Sequence, residues 1–352
     1  MRSTVPTAYC RGDHGKLCLE VAKTDGAFRA LASEWAELWS RVPETTPFQS
    51  PGWLLPWWGQ FGTGQPRAAI LRAENGCLLG LLPLYILDEP PSRKLLLIGA
   101  GTTDYLDALL APEAPVGAVK LLLDAVLADA PRDGVTACDL IDLPPGSKLV
   151  DAPTPPNWRE ESRWSNPCPV LVLPPGATRL AEVIPQGRLR SLRLAHNRAA
   201  RAGGWSIETA GASSLDRLLG ELERLHQERW IAAGEPGAFA DPRVRAFHSA
   251  AAPELLTCGL LRLRALLFDE QVVAAYYTLL AGRDRLLLYL PAFDVAHARE
   301  SPGTILIGAI LEEAMHEGCR ELHFLRGVEA YKYNWGAVDR MNMARRLVPI
   351  VR

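Results

Sequence analysis

The order of the predicted elements is that of an α/β protein in which one structural unit occurs twice. In each copy two helical segments precede three meandering strands, and a helix then leads to one further strand. The copies are offset by about 190 residues, which is typical of a duplicated domain rather than of a solenoid. Each copy is therefore expected to form a mixed, mostly antiparallel sheet flanked by helices.

The first copy opens with helical segments near 26–42 and 51–61, where apolar residues recur at helical spacing. A β-hairpin follows over 68–87 and turns at Asn75-Gly76, because both residues tolerate a positive φ. The other elements predicted here are a strand near 94–98, a helix near 116–127 and a strand at 137–142.

The second copy repeats this order, beginning with helical segments near 214–231 and 243–256. Its hairpin is predicted over 260–280, around Asp269-Glu270. The other elements predicted here are a strand at 285–290, a helix at 303–316 and a strand at 321–325.

A stretch rich in Pro, Gly and Ser at 144–176 indicates the exit from the first copy. A helix predicted from Gln186 to Ala202 stops at Gly203-Gly204. We therefore divide the chain into a first domain at 1–178, a basic linker helix at 179–204 and a second domain at 205–352. The helix could be an ordinary solvated one, or it could contact coenzyme phosphates or an acidic glycan or lipid head group. Its basic residues are Arg188, Arg190, Arg193, His196, Arg198 and Arg201.

Composition excludes several classes of protein. The 352 residues are 48% hydrophobic and 22% charged, as in globular proteins, and a formal net charge of −2 gives no general attraction to nucleic acid. Seven cysteines without a C-x-x-C pair argue against a disulfide or zinc framework. Residues 2–7 lack the apolar core of a signal peptide, and the longest apolar run, 77–87, is too short to cross a bilayer. We expect a cytoplasmic protein with no transmembrane segment, no metal site and no DNA partner.

Three blocks of sequence resemble one bacterial acetyltransferase family. They are 46–58, beginning Thr46-Pro47-Phe48-Gln49-Ser50-Pro51, then Gly101 to Asp107, and Phe324 to Gly336. The family is CelD/BcsL-like, is associated with cellulose or other exopolysaccharide biosynthesis, and belongs to the GNAT superfamily. It is similar to the Fem-type peptidoglycan aminoacyltransferases, which carry two such units. The resemblance covers roughly residues 25–347 and implies two tandem GNAT-like domains that use acetyl-CoA or another acyl-CoA.

The second copy offers the better site for the phosphates of an acyl carrier. Ser301 is expected to cap the crossover helix, and the first N–H groups, those of Gly303 to Ile305, are expected to point outward unpaired. In the first copy the equivalent segment contains Glu113, which would repel phosphate. The expected carrier contacts are Arg299, Ser301, Gly303, Thr304 and Ile305.

The block after the last strand of the second copy is the predicted chemical centre. Glu329 is a candidate general base, Lys332 could stabilise an oxyanion, and Tyr331 or Tyr333 could protonate the departing thiolate.

The last strand and the block after it depart from the family at one position each. The resemblance implies an acidic residue where His323 stands and another where Val328 stands. A histidine can still act as a base, whereas a valine cannot. A protein that binds its ligands without catalysing a reaction is therefore an open alternative.

Acceptor contacts are expected from both copies. Asp104, Tyr105 and Asp107 follow a strand end in the first copy, and the resemblance implies that they hold the acceptor. His226, Arg229 and Trp230 share one helix face and could form an acceptor wall. The predicted acceptor set is Asp104, Tyr105, Asp107, His226, Trp230 and Arg326.

These observations predict transfer of an acyl group, with acetyl expected, from acyl-CoA to an amine or hydroxyl of a small-molecule or glycan-precursor acceptor. The thioester would be attacked directly, because no serine or cysteine lies in a nucleophile motif. Two alternatives stay open: Fem-like transfer from aminoacyl-tRNA, and a non-catalytic subunit of a polysaccharide-synthesis assembly. Residues 205–258 leave no room for the long helical arm of some tRNA-dependent Fem enzymes, which favours acyl-CoA over tRNA.

Overall fold

The computed structural model describes residues 8–12 and 15–350, and the chain forms two compact units. Unit 1 comprises the chain up to Asn166 together with the stretch from Met341 onward, and unit 2 comprises Pro167–Arg340. Residues 2–7, on which the signal-peptide argument rests, lie outside the described residues. No helix in the described ranges is long and apolar enough to cross a membrane.

Unit 1 contains one sheet with helices on it. Its strands run in the order β1-β2-β3-β4-β5-β7-β14, with the short β6 beside β4. All neighbours are antiparallel except β5 and β7, which are parallel. The elements are β1 (Ala8–Gly12), β2 (Gly15–Ala22), α1 (Asp25–Arg29), α2 (Ala32–Arg41), α3 (Pro51–Phe61), β3 (Gln65–Arg72), β4 (Leu78–Glu89), β5 (Ser92–Leu97), β6 (Leu109–Leu110), α4 (Ala118–Ala128), β7 (Ala137–Leu143) and the C-terminal part of β14 (Val338–Pro349).

Unit 2 repeats the arrangement in the order β8-β13-β12-β11-β10-β9. Its single parallel pair is β12 with β13. Helices α5 and α8 pack on one face of the sheet, and α6 packs against β10 to β12. The elements are β8 (Trp158–Val172, entering from unit 1), α5 (Gln186–Arg201), β9 (Ser206–Thr209), α6 (Leu215–Ala232), α7 (Pro242–Thr257), β10 (Leu261–Phe268), β11 (Gln271–Ala281), β12 (Arg285–Phe293), α8 (Pro302–His316), β13 (Glu321–His323) and α9 (Ala330–Asn334).

A shared irregularity supports the duplication. The register of the hairpin β3–β4 shifts between Leu71 and Arg72, and that of β10–β11 shifts between Leu266 and Leu267. Each shift lies close to the turn of its hairpin and inserts one residue into the second strand. The predicted fold class, an α/β protein with mixed sheets flanked by helices, is confirmed.

The two hairpin turns are built differently. At Asn75-Gly76 only the glycine has a positive φ, and the Asn75 side chain accepts a hydrogen bond from the Cys77 N–H at 3.0 Å. A turn with a positive φ at both central residues was expected at Asn75-Gly76. It occurs instead in unit 2, where Asp269 and Glu270 have φ values of 46° and 68°. Asparagine therefore contributes its side chain to the first turn, rather than a left-handed backbone.

The compact units differ from the predicted segments. The units divide at Asn166/Pro167 rather than near 178, and the predicted linker helix α5 lies inside unit 2. Its residues Leu189, Leu192 and Ala199 are buried in the core that α8 also enters, which explains why this helix belongs to the unit. The stretch after Met341 belongs to unit 1, because β14 pairs with β7.

Candidate functional site

The parallel strands of unit 2 separate part of the way along their length. Strands β12 and β13 pair from Arg285 and Glu321 as far as Leu287 and His323. Strand β13 then ends and the Phe324 N–H donates to the Pro169 carbonyl at 2.9 Å, while β12 continues to Phe293 beside β11. One edge of β12 is therefore left without a β13 partner over its last six residues.

A cavity of about 430 Å³ lies where β12 ends and α8 begins. It is lined by the first turn of α8 from Ser301 to Thr304 and by Phe293 at the end of β12. Four polar side chains from other elements also line it, Arg188, Arg229, Tyr276 and Tyr331, together with Pro291, Ala298 and Ile307. None of the described residues that line it is acidic.

The start of α8 differs from the predicted cap. Ser301 has a left-handed backbone with φ 55°, and its hydroxyl donates to the Ala298 carbonyl at 3.4 Å rather than capping the helix. Its own carbonyl accepts the N–H groups of Thr304 and Ile305 at 2.9 and 3.3 Å, so those donors are not unpaired as predicted. The Gly303 N–H is left without a backbone acceptor among the described residues.

Arg188 supplies an uncompensated positive charge at the cavity. Its Nη2 donates to the Thr304 hydroxyl at 3.1 Å, and its guanidinium lies 4.1 Å from the Trp335 ring centroid. Burial lowers the Arg188 pKa, the buried Nε has no acceptor, and no described carboxylate forms an ion pair with it. A desolvated cation without a partner is costly unless a ligand supplies the negative charge.

Arg229 and Tyr276 support the same conclusion. The Arg229 guanidinium lies 4.7 Å from the Phe293 ring centroid and forms no ion pair with a described carboxylate. Tyr276 is only 4% exposed, and the described residues offer its hydroxyl no hydrogen-bond partner. Burial raises the Tyr276 pKa well above its usual range, so the hydroxyl is neutral and can donate. With two cations and a free donor, the cavity is suited to an anion.

Two predicted carrier contacts lie elsewhere. Arg299 does not line the cavity, and its carbonyl accepts a hydrogen bond from Arg198 at 2.9 Å. Ile305 is fully buried in the core of unit 2. Ser301, Gly303 and Thr304 do line the cavity.

Lys332 is committed to the backbone of the loop that follows β13. Its ammonium donates to the carbonyls of Leu325, Arg326 and Gly327 at 3.1, 2.6 and 3.3 Å. It also lies 2.9 Å from the carboxylate of Glu329, which is half exposed. Because the ammonium has three protons and four acceptors, its role here is to hold the loop and to position Glu329 rather than to bind an oxyanion.

His323 is buried in a charged cluster. Its Nε2 lies 2.9 Å from Glu321, which also pairs with Arg340. Burial lowers the His323 pKa, and hydrogen bonds from His323 and Arg340 lower that of Glu321 to about 2. The imidazole is therefore neutral and hydrogen-bonded to a carboxylate at neutral pH.

Of the predicted catalytic residues, Tyr331 alone lines the cavity. Burial raises the pKa of its phenol above the usual range, which keeps the proton available for transfer. Tyr333 points elsewhere, because its hydroxyl donates to Asp339 at 2.8 Å.

Among the predicted acceptor residues of unit 1, the Asp107 carboxylate is hydrogen-bonded to neighbouring donors. Asp107 accepts hydrogen bonds from the Ser147 hydroxyl and from the N–H groups of Ala108, Lys148 and Leu149. Burial nevertheless raises its pKa to about 6. Asp104 and Tyr105 are buried as well, at 7% and 6% exposed.

In unit 2, His226 and Trp230 form a hydrogen-bonded pair and do not line the cavity. The Arg326 carbonyl is an acceptor of Lys332.

Sequence reasoning named Arg188 only as one of six basic residues on a helix that could contact coenzyme phosphates. It placed Arg229 in a possible acceptor wall and did not select Tyr276. One signal was present: the 20 residues from Gln186 to Trp205 contain five arginines and no acidic residue. Nothing local indicated that Arg188 alone would turn toward the helix α8.

Part of the chain matches a known protein family. Residues 186–333, all within unit 2, match the family model described as an acetyltransferase (GNAT) domain. No curated protein matches the chain.

Solved structures are similar over most of the chain. The C-terminal domain of a putative lysylphosphatidylglycerol synthetase from Agrobacterium fabrum is 14% identical, with 90% of this chain and 92% of that chain covered and a TM-score of 0.57. FemX is 11% identical, with 89% and 95% covered and a TM-score of 0.60. L-PGS from Bacillus licheniformis is 13% identical, with 88% and 94% covered and a TM-score of 0.53. At these identities the likeness shows the fold alone.

Proposed function

We propose that this protein is an acyltransferase that binds acyl-CoA in unit 2. The observation that carries the proposal is the acid-free cavity at the start of α8, beside the strand edge that β13 leaves unpaired. This cavity lies in the part of the chain that matches a GNAT acetyltransferase domain, and GNAT domains generally use acyl-CoA.

Three groups from different helices are assigned to the pyrophosphate of the carrier. They are the Gly303 N–H on α8, Arg188 on α5 and Arg229 on α6. The N-terminal end of a helix attracts negative charge, and arginine is suited to phosphate oxygens. Binding would supply the anion that Arg188 lacks in the protein alone.

Transfer is assigned to direct attack of the acceptor on the thioester carbonyl. A bond forms from the acceptor nitrogen or oxygen to the acyl carbon, and the carbon–sulfur bond breaks. Glu329 is the proposed base for the acceptor proton, and the Tyr331 phenol is the proposed acid for the thiolate. The acceptor class, an amine or hydroxyl of a sugar or cell-surface precursor, follows the family resemblance.

Calorimetric titration with acetyl-CoA and longer acyl-CoAs tests the carrier site. A Cβ at Gly303 would meet only Phe293, at an ordinary 3.7 Å, so Gly303→Ala should bind almost as tightly as the wild type. Gly303→Glu adds a negative charge at the same point and should weaken binding by about 100-fold or more.

Val116→Glu, at a fully exposed residue just before α4 in unit 1, is the matched control and should have no effect. An unchanged affinity in Gly303→Glu, or no binding of any acyl-CoA to the wild type, would rule out this carrier site.

A further inference from the structure

Trp230 presents a partly exposed indole next to the anion cavity. It lies near the end of α6, and 37% of the residue remains exposed. Its neighbour Arg229 lines the cavity, and the Arg229 guanidinium lies 5.9 Å from the Trp230 ring centroid and 4.7 Å from that of Phe293. Arg229 therefore lines the cavity and also lies close to the indole.

The indole is oriented by a hydrogen bond, and the base of the side chain packs against Gly237. Its Nε1–H donates to His226 Nε2 at 3.0 Å, and a Cβ at Gly237 would come within 2.9 Å of the Trp230 Cβ. His226 is buried, and burial lowers its pKa to about 4, so its Nε2 is an acceptor at neutral pH. Because its polar atom is already bonded, the Trp230 ring can offer a ligand only an apolar aromatic surface.

Such a surface recognises a flat aromatic ring by stacking. Nucleobases stack on tryptophan because both have extended π-faces, and the contact needs no hydrogen bond at the ring edge. In acyl-CoA the adenosine is joined directly to the pyrophosphate that we assign to Gly303, Arg188 and Arg229. An adenine leaving the cavity past Arg229 would reach the indole next.

We propose that Trp230 is the stacking platform for the adenine ring of acyl-CoA. This proposal rests on the proposed function, and it reassigns Trp230 from the acceptor to the carrier. His226 becomes a positioning residue, which acts by orienting the indole. Arg229 connects the adenine subsite with the pyrophosphate subsite.

The test compares acetyl-CoA with a carrier that lacks its 3′-phosphoadenosine 5′-phosphate half. Acetyl-CoA and acetyl-4′-phosphopantetheine share the thioester, the pantetheine arm and a phosphate. Their Kd values would be measured by calorimetry on the wild type and on Trp230→Ala, Trp230→Phe and Trp205→Ala. Trp205 is the matched control, because it is a comparably exposed tryptophan of the same unit, 39% exposed and stacked on His196.

Loss of base stacking should weaken acetyl-CoA binding in Trp230→Ala by about tenfold or more, and Trp230→Phe should recover most of it. Affinity for acetyl-4′-phosphopantetheine should be the same in Trp230→Ala and in the wild type. Trp205→Ala should bind both carriers as the wild type does.

Three results would overturn the proposal, and they can be told apart. Unchanged acetyl-CoA binding in Trp230→Ala would remove the adenine contact while leaving the carrier site standing. Equal weakening for both carriers would mean that Trp230 contacts the shared part of the carrier or supports the fold. No binding of either carrier to the wild type would refute the proposed function itself.

Discussion

The two units have the same elements around their parallel strand pairs. They differ in what occupies the space past the last paired residues of those strands. In unit 2, β12 continues past the last β13 partner, and a cavity lies at its end. In unit 1, β5 ends at Leu97, soon after its last pair with β7, and the chain turns back over the equivalent space. One copy of the fold thus keeps an opening that the other has closed.

The closing segment of unit 1 is tied to the strand that it covers. Leu106 is buried and its N–H donates to the Asp142 carbonyl at 2.9 Å, at the end of β7. The Asn342 side chain donates to the Asp104 carbonyl at 2.9 Å. Asp104 and Tyr105, which the sequence suggested as acceptor ligands, belong to this segment.

Arginines that are buried, or half-buried in the case of Arg188, show the same contrast in charge. In unit 1, Arg67 pairs with Asp133 and Arg345 with Glu160. In unit 2, Arg264 pairs with Glu313, whereas Arg188 at the cavity forms no ion pair with any described carboxylate. Uncompensated charge therefore marks the place where a ligand would complete the structure.

The largest expected effects come from replacing one arginine that pairs with a carboxylate and one that does not. Arg345→Met would leave Glu160 without its cation and should lower the free energy of unfolding by about 3 kcal/mol. Arg188→Met removes a desolvated charge that has no carboxylate and should leave that free energy unchanged or higher. The same Arg188 variant should bind acetyl-CoA more than about tenfold more weakly.

Urea denaturation and calorimetry on both variants measure these effects. Equal destabilisation by the two substitutions, or wild-type carrier affinity in Arg188→Met, would contradict the contrast between a paired and a ligand-binding arginine.

A pair of glycines tests how tightly the closing segment of unit 1 is packed. Gly99 has φ 104°, and a Cβ there would lie within 3.0 Å of Leu106, Leu54 and Thr103. Gly101 has φ 92° and open space around it. Gly99→Ala should cost about 3 kcal/mol of stability and Gly101→Ala about 1 kcal/mol, because the first adds crowding to the same backbone strain.

Thermal or urea unfolding of both variants gives the difference. Neither change should alter the affinity of unit 2 for acetyl-CoA. Equal costs at the two positions would mean that the segment is loosely packed and the cleft of unit 1 is not closed by it.

Mild acid should affect the two units in opposite directions. In unit 2, burial lowers the pKa of His226 to about 4 and that of His248 to about 3. The unfolded chain therefore binds these protons first, and stability is lost as the pH falls from about 6.5 toward 4, by roughly 2 kcal/mol or more at pH 5.

In unit 1, burial raises the pKa of Asp107 to about 6, so protonation there favours the folded state as the pH falls below 6. The hydrogen bond from Arg345 lowers the Glu160 pKa to about 2, so the stability that this pair contributes declines only as the pH falls from about 4.5 toward 2.

Hydrogen exchange at pH 7 and pH 5, corrected for intrinsic rates, reports each unit separately. Protection should fall in β11 and α6 and hold or rise in β3 and β4. A uniform loss of protection would show that the buried histidines do not govern acid stability.

Local sequence patterns determined most of the elements. Apolar runs interrupted by turn residues located both hairpins, and helical periodicity located α6 and α8 to within about two residues. The long strand β14 was missed, because its charged residues resemble a surface segment. Only partners distant in the chain accommodate them: Arg345 pairs with Glu160 on β8, and Arg346 pairs with Asp139 on β7.

The candidate site, too, was predictable from the sequence only in part. The start of α8 was visible in Ser301-Pro302-Gly303-Thr304, because helix-start residues act on their own neighbours in the chain. The cavity itself depends on Arg188 lying against Thr304, 116 residues apart, and on β13 ending before β12 does. The sequence alone determined which segments form helices and strands, since those preferences are local. Only tertiary packing decided which copy stays open and which arginine stays unpaired, since both depend on contacts between distant residues.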